Sequence, residues 1–308
     1  MQKKSQTQVL FWGSMVLLGG CALAWPSVAS RGAGIILKQT LLSPVFVIAV
    51  AVIMLIEKLF PVHRHQATFS LGLIQDGVWV VLALAFNATV MVCYARTLTA
   101  FYEAHLRFLT VHASDSLPRT VSFGIAILLA DLLAWFQHWL KHKVPWFWQI
   151  HAVHHSQPEI NLFTDFRFHL FEYLISRPIV MLPLLMLSLK TPEIVWWSVF
   201  YQWYTRFYHA NIKSNLGPLR QLLVTPQSHR VHHSIETRHQ DKNFGVLFSF
   251  WDRLFGTRYA GCGEYPQTGI RDTAFPLENK EDPMGLLFNP IRQNVYPFLT
   301  IAKNFGKR

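Results

Sequence analysis

Long apolar segments recur along the first two thirds of this 308-residue chain, and they constrain its fold more than any other feature. Hydrophobic residues make up 51% of the chain and charged residues only 15%, whereas soluble domains usually carry about 25% charged residues. The apolar segments are 9–25, 41–56, 77–94, 121–136, 179–189 and 194–208. Because a helix needs about 20 apolar residues to cross a bilayer, we predict an all-α, multi-span transmembrane bundle of about four to six spans.

The first and last apolar segments are the least certain spans. Segment 9–25 follows Lys3 and Lys4 and could be a signal peptide, but the further spans after it favour a retained helix. Segments 179–189 and 194–208 are short and are separated by the polar residues 190–193. They predict a tight helical hairpin that is tilted, re-entrant or extended by neighbouring turns.

Positive charge predicts the orientation of the bundle. Lys3 and Lys4 favour a cytoplasmic N-terminus, and alternate crossings then bring every histidine cluster to the cytoplasmic face. The loop 96–119 is also basic but falls on the opposite face. We therefore predict an integral membrane protein with a cytosolic, helical, histidine-rich cap.

The net charge of +11 favours contact with anionic lipid rather than with nucleic acid. No basic stripe on a soluble domain accompanies this charge, so nucleic acid is not an expected partner. The three cysteines, Cys21, Cys93 and Cys262, are far apart and lack CxxC spacing. They predict neither a disulfide framework nor a thiolate metal site.

Histidines provide the strongest functional signal. Eight of the fifteen form one HxxxH cluster and two HxxHH clusters, namely His138 and His142, then His151, His154 and His155, then His229, His232 and His233. Residues at positions i, i+3 and i+4 share a helix face, so we expect each cluster to project its imidazoles in one direction. Eight imidazoles exceed the four ligands of one zinc ion and suit two metal ions with open positions. Imidazole binds iron, zinc, copper or nickel, so the ligand type leaves the metal open.

These clusters and their flanking residues resemble the histidine boxes of the sterol desaturase/fatty acid hydroxylase superfamily. The resemblance covers about residues 121–257 and departs from the family pattern at Leu170, where proline is common. The matching elements outside the boxes are Asp131, Arg167-Phe168-His169 with Glu172, His209-Ala210-Asn211, Thr225-Pro226, Asn243-Phe244-Gly245 and residues 251–257.

The resemblance implies a non-haem di-iron centre with two iron ions and O2 as co-substrate. Such a centre would hydroxylate or desaturate a lipid, and sterols, fatty acyl chains, sphingolipid bases and alkylglycerols all stay open as substrates. Cleavage of an unactivated C–H bond needs a redox metal, and zinc cannot supply electrons. The chain has no haem-binding HPGG, no GxGxxG and no CxxC pattern. We therefore expect a separate electron donor, either cytochrome b5-like or ferredoxin-like.

Five further residues are candidates for the site. His209 follows the predicted hairpin and is expected to be a ninth ligand. His169 and His239 are possible ligands or supports for ligands. Asp131 lies two helical turns before the first cluster and is expected to accept an N–H from a ligand imidazole, with a helix-packing or pore-facing role as the alternative. Asn243 is expected to cap or support the site.

The resemblance also divides the chain into three regions. We predict N-terminal transmembrane helices at 1–120, a di-iron domain at 121–260 and a C-terminal extension at 261–308. A histidine-lined metal transporter or storage protein is an alternative, but it would need ligands near the middle of the bilayer. A non-catalytic relative without metal is another, although all three boxes are intact.

Overall fold

The computed structural model describes residues 43–66, 70–87, 90, 92–112, 116–278 and 282–305. These residues form ten α-helices and, in place of strands, only isolated β-bridges, which confirms the all-α prediction for this part of the chain. The predicted first span, 9–25, lies outside the described residues. The helices are α1 Pro44–Leu59, α2 Leu71–Phe86, α3 Val92–Phe101, α4 Arg119–Lys143, α5 Pro145–His155, α6 Leu170–Met186, α7 Thr191–His209, α8 Pro226–His232, α9 Phe250–Leu254 and α10 Pro283–Phe305.

Short turns of other helix types connect these elements. A π-helical turn, Tyr102–Leu106, continues α3 and leads into the 3-10 turn Arg107–Leu109. Further 3-10 turns occur at Thr164–Phe166, Gly217–Gln221 and Thr237–His239. The chain between α5 and α6 and between α7 and α9 therefore consists of short helical pieces joined by turns.

One described helix, α4, is long and apolar enough to cross a membrane. The predicted span 77–94 falls on α2, which ends at Phe86, and on α3, which begins at Val92. At the end of α2 the side-chain amide of Asn87 donates to the carbonyl of Ala83 over 2.7 Å. Between the two helices the structure describes only residues 87 and 90.

The predicted hairpin is present, since α6 ends at Met186 and α7 begins at Thr191. Glu193 accepts the backbone N–H of Lys190 over 2.7 Å and caps the start of α7. The same carboxylate accepts from Nε of Arg119 over 2.7 Å. The first turns of α4 and α7 are thereby fixed side by side.

The helices pack so that the C-terminal end of α4 meets α5 and the chain that follows α7. Helix α4 packs against α5 and α6, α8 packs against α7, and α10 packs against both α2 and α5. One apolar cluster joins Trp79 of α2 to Phe275, with Tyr296 of α10 packed against it. The predicted C-terminal extension therefore contributes to the same core as the N-terminal helices.

Candidate metal centre

Nine buried or half-buried histidines converge into two adjacent groups. Within each group, one ring nitrogen of every histidine lies within 4.8 Å of the others. The first group is His138, His142, His151, His155 and His232, and the second group is His154, His209, His229 and His233. The structure thus brings together all eight box histidines and His209, and their role as metal ligands remains a prediction.

Each HxxHH box supplies histidines to both groups. His151 and His155 enter the first group, while His154 between them enters the second. Positions i+3 and i+4 differ by about 100° around a helix, so neighbouring imidazoles diverge. The expectation that each cluster projects in one direction is therefore wrong in detail. The rings of His155 and His233 stack at 4.2 Å between centroids and join the two groups.

Five of the imidazoles are oriented by a hydrogen bond at Nδ1. An Nδ1–H that donates to a carbonyl or carboxylate leaves the lone pair of Nε2 free to face a metal. The acceptor is the Phe244 carbonyl for His138 at 2.9 Å, Glu172 Oε1 for His151 at 3.0 Å, the Arg167 carbonyl for His154 at 3.3 Å, the Thr205 carbonyl for His209 at 2.7 Å and the Lys242 carbonyl for His232 at 2.8 Å.

The Nε2 atoms are arranged as cation ligands would be. Nε2 of His154 lies 3.1 Å from Nε2 of His209. Both residues use Nδ1–H as a donor, so these Nε2 atoms present two lone pairs to each other, and a cation between them would remove their repulsion. In the first group, the buried Nε2 atoms of His142 and His232 have no hydrogen-bond partner within the described chain. The donor set therefore fits two metal ions.

Burial keeps these imidazoles neutral. It lowers the pKa of His151, His154 and His155 well below the usual value, and neighbouring positive charge lowers it further. Burial likewise lowers the pKa of His232 to about 4. Neutral imidazole is the form that binds metal, so the site is ready for ligation at neutral pH.

One carboxylate beside the first group was part of the family resemblance. Glu172 is fully buried and pairs with Nζ of Lys141 over 2.7 Å while it accepts from His151. A buried carboxylate is costly unless it is paired and hydrogen-bonded. Lys141, which the sequence analysis did not single out, therefore neutralises the group that orients a candidate ligand.

The structure gives Asp131 partners other than a histidine. Its carboxylate accepts the backbone N–H groups of Leu247 and Phe248 over 3.0 and 3.1 Å and the indole N–H of Trp251 over 3.0 Å. Seven residues of helix separate Asp131 from His138, a rise of about 10 Å that exceeds the reach of a carboxylate. Asp131 therefore holds the 247–251 segment against α4, which corrects the expectation that it binds a ligand imidazole.

The remaining candidates lie outside both groups. His169 caps α6, because its Nδ1 accepts the N–H of Phe171 over 3.2 Å, and its Nε2 lies 2.8 Å from the carbonyl of Asn294. Nδ1 of His239 lies 2.9 Å from Oγ of Ser234. These two histidines contact structural partners and belong to neither candidate metal group.

Asn243 supports the turn after α8. Its side chain donates to the carbonyl of Ser228 over 3.0 Å and accepts the N–H of Tyr259 over 2.8 Å. Its φ of 59° lies in the left-handed region, which asparagine tolerates better than most residues. The turn presents the next residue, Phe244, to the ring of His142 at 5.1 Å.

Sequence reasoning missed a charge cluster that supports the second group. Arg167 is fully buried and pairs with Asp76 of α2 and with Glu278, 3.0 Å from its Nη2. The carbonyl of Arg167 is the acceptor for His154. Asp76 lies outside the matched region, and its position at the edge of an apolar segment was the available signal, since a charge there is costly unless it is paired.

Comparisons with known proteins found sequences that are similar to this chain. The fatty acid hydroxylase family model matches residues 123–257. An ornithine lipid hydroxylase of Rhizobium tropici is 26% identical over 222 residues, which is 69% of this chain and 65% of the relative. An alkylglycerol monooxygenase of Homo sapiens is 35% identical over 181 residues, 56% of this chain and 35% of the relative. That of Danio rerio is 33% identical over 140 residues, 44% of this chain and 30% of the relative.

The chain spans less than two thirds of the length of these relatives. No solved structure matches it. The family match covers all three histidine boxes and the segment 243–257. Residues 123–257 therefore match the fatty acid hydroxylase family, as the resemblance to the sterol desaturase/fatty acid hydroxylase superfamily predicted.

Proposed function

We propose that this chain is a membrane-bound, O2-dependent oxidoreductase that hydroxylates a C–H bond of a lipid at a centre of two iron ions. The observation that carries the proposal is the pairing of the histidine groups, with five imidazoles in one and four in the other. A single structural metal ion would need only four ligands. Two ligand sets that share the same short helices indicate a centre in which two ions act together.

The first group would hold one iron and the second group the other. When bound, iron would supply the redox chemistry with O2 that cleavage of an unactivated C–H bond needs and that zinc lacks. The chain itself holds the imidazoles neutral, fixes five ring orientations and keeps a compensated charge pair at Glu172 and Lys141. These are the roles that protein groups around a metal ligand perform.

Aromatic rings pack against histidines of both groups. Trp148 lies 5.0 Å from the ring of His142, and Phe168 lies 4.8 Å from that of His154. Tyr208 lies 4.3 Å from the ring of His229. Rings packed against the ligands exclude water, which favours reaction with a lipid chain over side reactions with solvent.

Hydroxylation is favoured over desaturation by the names of the relatives, which are a lipid hydroxylase and alkylglycerol monooxygenases. We propose a long-chain lipid with a polar head group as the substrate class. Desaturation of the lipid shares the hydrogen-abstraction step with hydroxylation and is the alternative reaction. Electrons would come from a separate cytochrome b5-like or ferredoxin-like protein.

The membrane arrangement is also part of the proposal. Helix α4 would span the bilayer, with further spans among the apolar segments and a total of about four to six. The histidine groups, which include the C-terminal end of α4, would face the cytoplasm. The three regions 1–120, 121–260 and 261–308 would be the N-terminal spans, the di-iron domain and a C-terminal extension packed on both.

The test is lipid mass spectrometry of cells that express the full chain, its His154→Ala variant or the matched control His65→Ala. His154 is buried in the second group, whereas His65 is exposed and belongs to neither group. We expect the wild type and the control to produce a lipid heavier by one oxygen and His154→Ala to produce none. Unchanged product in a folded, membrane-inserted His154→Ala variant would contradict the proposal, and a product lighter by two hydrogens would show desaturation.

A further inference from the structure

Two arginines outside the histidine groups donate to one glutamine, and a third precedes it in the chain. Arg253 donates to Gln221 from Nη1 over 3.2 Å to Oε1 and from Nη2 over 2.6 Å to the carbonyl. Arg258 donates from Nη1 to the same Oε1 over 3.0 Å. Arg220 precedes Gln221 and lines a small pocket together with Arg258. These three residues, the arginine triad, bring three positive charges to this part of the surface.

Within the described residues the arginine triad forms no ion pair: Asp252 lines the same pocket as Arg220 and Arg258, but its carboxylate accepts hydrogen bonds from Trp135, Gly245 and Thr257. None of the ion pairs found within the described chain includes a triad guanidinium. Nε of Arg220 is buried and has no hydrogen-bond partner there. Arginines elsewhere differ, since Arg238 pairs with Glu264 over 2.8 Å and Arg292 pairs with Asp282 over 2.7 Å. The triad is therefore a concentrated positive charge that an external anion could neutralise.

Exposed apolar side chains surround the triad. Leu219 and Leu222 are 54% and 47% exposed, and Leu254 and Phe255 are 66% and 47% exposed. Large apolar side chains interleaved with arginines are unfavourable in water but suit the level of lipid head groups. This surface therefore fits the boundary between the bilayer and the cytosol.

An apolar groove of about 570 Å³ begins beside the triad. Leu222, Leu223, Phe248 and Phe250 form one side, and Ile127 of α4 and Trp197 of α7 are among the residues of the other. A β-bridge between Leu223 and Phe248 joins the two segments that also carry the triad arginines. The arginine triad and the apolar groove are therefore two parts of one surface.

We propose that the arginine triad and this groove bind one anionic phospholipid of the bilayer, with its phosphate on the guanidinium groups and an acyl chain in the groove. Arginine forms bidentate hydrogen bonds to phosphate, and basic clusters are attracted to anionic leaflets. Along α4, groove residue Leu128 and His138 are ten residues apart, a rise of about 15 Å. The bound lipid would therefore lie at the membrane surface and would not enter the metal centre.

The test is native mass spectrometry of the full chain in detergent with added phosphatidylglycerol or phosphatidylcholine. We expect preference for phosphatidylglycerol, and about tenfold or more weaker binding in Arg220→Gln/Arg253→Gln/Arg258→Gln. The matched control, Arg238→Gln/Arg271→Gln/Arg292→Gln, removes the same charge from exposed arginines elsewhere. It is expected to bind within about twofold of wild type, and equal weakening of both triple variants would overturn the proposal.

A second variant tests the groove. A Cβ added at Gly124, which lines the groove, would meet no neighbouring atom within 4 Å outside its own helix backbone, so we expect Gly124→Leu to extend into the groove. We expect it to weaken phosphatidylglycerol binding and to leave helical circular dichroism unchanged. Soluble glycerol 3-phosphate should bind far more weakly than the lipid. Equal binding of glycerol 3-phosphate, or unchanged lipid binding in both the triad variant and Gly124→Leu, would refute a lipid site, whatever the hydroxylase assay shows.

Discussion

The two histidine groups differ in size, exposure and support. The first has five imidazoles, one of which, His142, is half-buried, and it is flanked by the charged pair Glu172–Lys141. The second has four fully buried imidazoles, and its members His154 and His209 are oriented by backbone carbonyls. We infer that the first position tolerates the loss of a ligand better, because four imidazoles would remain there. The second position depends on each of its ligands.

The largest expected effect tests this difference directly. His154→Ala should remove about one metal ion per chain and reduce turnover to background, since nothing replaces a buried ligand in a four-imidazole group. His142→Ala should keep more metal, because four imidazoles remain in the first group. Metal analysis of both purified variants, beside His65→Ala, measures the contrast. Equal metal loss in the two variants would remove the distinction between the groups.

A second effect should be confined to the first group. Glu172→Gln weakens the orientation of His151 and leaves Lys141 as an unpaired buried charge. We expect metal affinity to fall about 10- to 100-fold and the free energy of unfolding to fall by about 3–5 kcal/mol. Metal titration and chemical denaturation measure the two quantities.

Glu236→Gln is the matched control for this change, because Glu236 forms an exposed pair with Arg238 over 2.8 Å. It should alter neither metal affinity nor stability measurably. If Glu172→Gln behaved like this control, Glu172 would have no role in orienting His151.

Acidification should destabilise the metal-free protein through both groups. Burial lowers the folded-state pKa of His232 from 6.5 to about 4 and lowers that of His154 well below 6.5. Folding therefore favours the neutral form, and this contribution is present above pH 6.5 and is lost as the pH falls towards 4. Thermal unfolding of the metal-free chain from pH 7.5 to 4.5 should show a falling midpoint. A midpoint that rises on acidification would contradict neutral imidazoles.

The smallest expected effect lies at the surface near the first group. Lys143 and Asp241 form an exposed ion pair over 2.5 Å, and such pairs contribute about 0–1 kcal/mol. Lys143→Ala should therefore leave metal content unchanged and lower the free energy of unfolding by less than about 1 kcal/mol. A clear loss of metal would show that the end of α4 is held by this pair as well as by packing.

Much of the site could be predicted because the spacing of the histidines within each box is visible in the sequence. Three helical clusters identified eight converging imidazoles, and the element His209-Ala210-Asn211 added the ninth. The division of each HxxHH box between two groups was missed, since it depends on where α5 and α8 meet in three dimensions. The partners of Asp131 were missed for the same reason, because its N–H donors lie 116 or more residues away.

The class of the fold could be predicted, but its packing could not. Hydropathy identified the helical segments, because an apolar run is a local property of the sequence. The packing of α10 against α2 and α5 could not be predicted, because the C-terminal region is mixed and polar in sequence. Long-range pairing such as that of Arg167 with Asp76 and Glu278 leaves no pattern in a single sequence.

We propose that nine imidazoles from distant parts of the chain hold two iron ions side by side. Iron quantification combined with X-ray absorption at the iron edge, on the purified chain, measures both the number of ions and their ligands. The predicted result is about two iron ions per chain with mainly nitrogen neighbours. A chain that folds and turns over lipid with one metal ion or none, or with sulfur-dominated coordination, would contradict it.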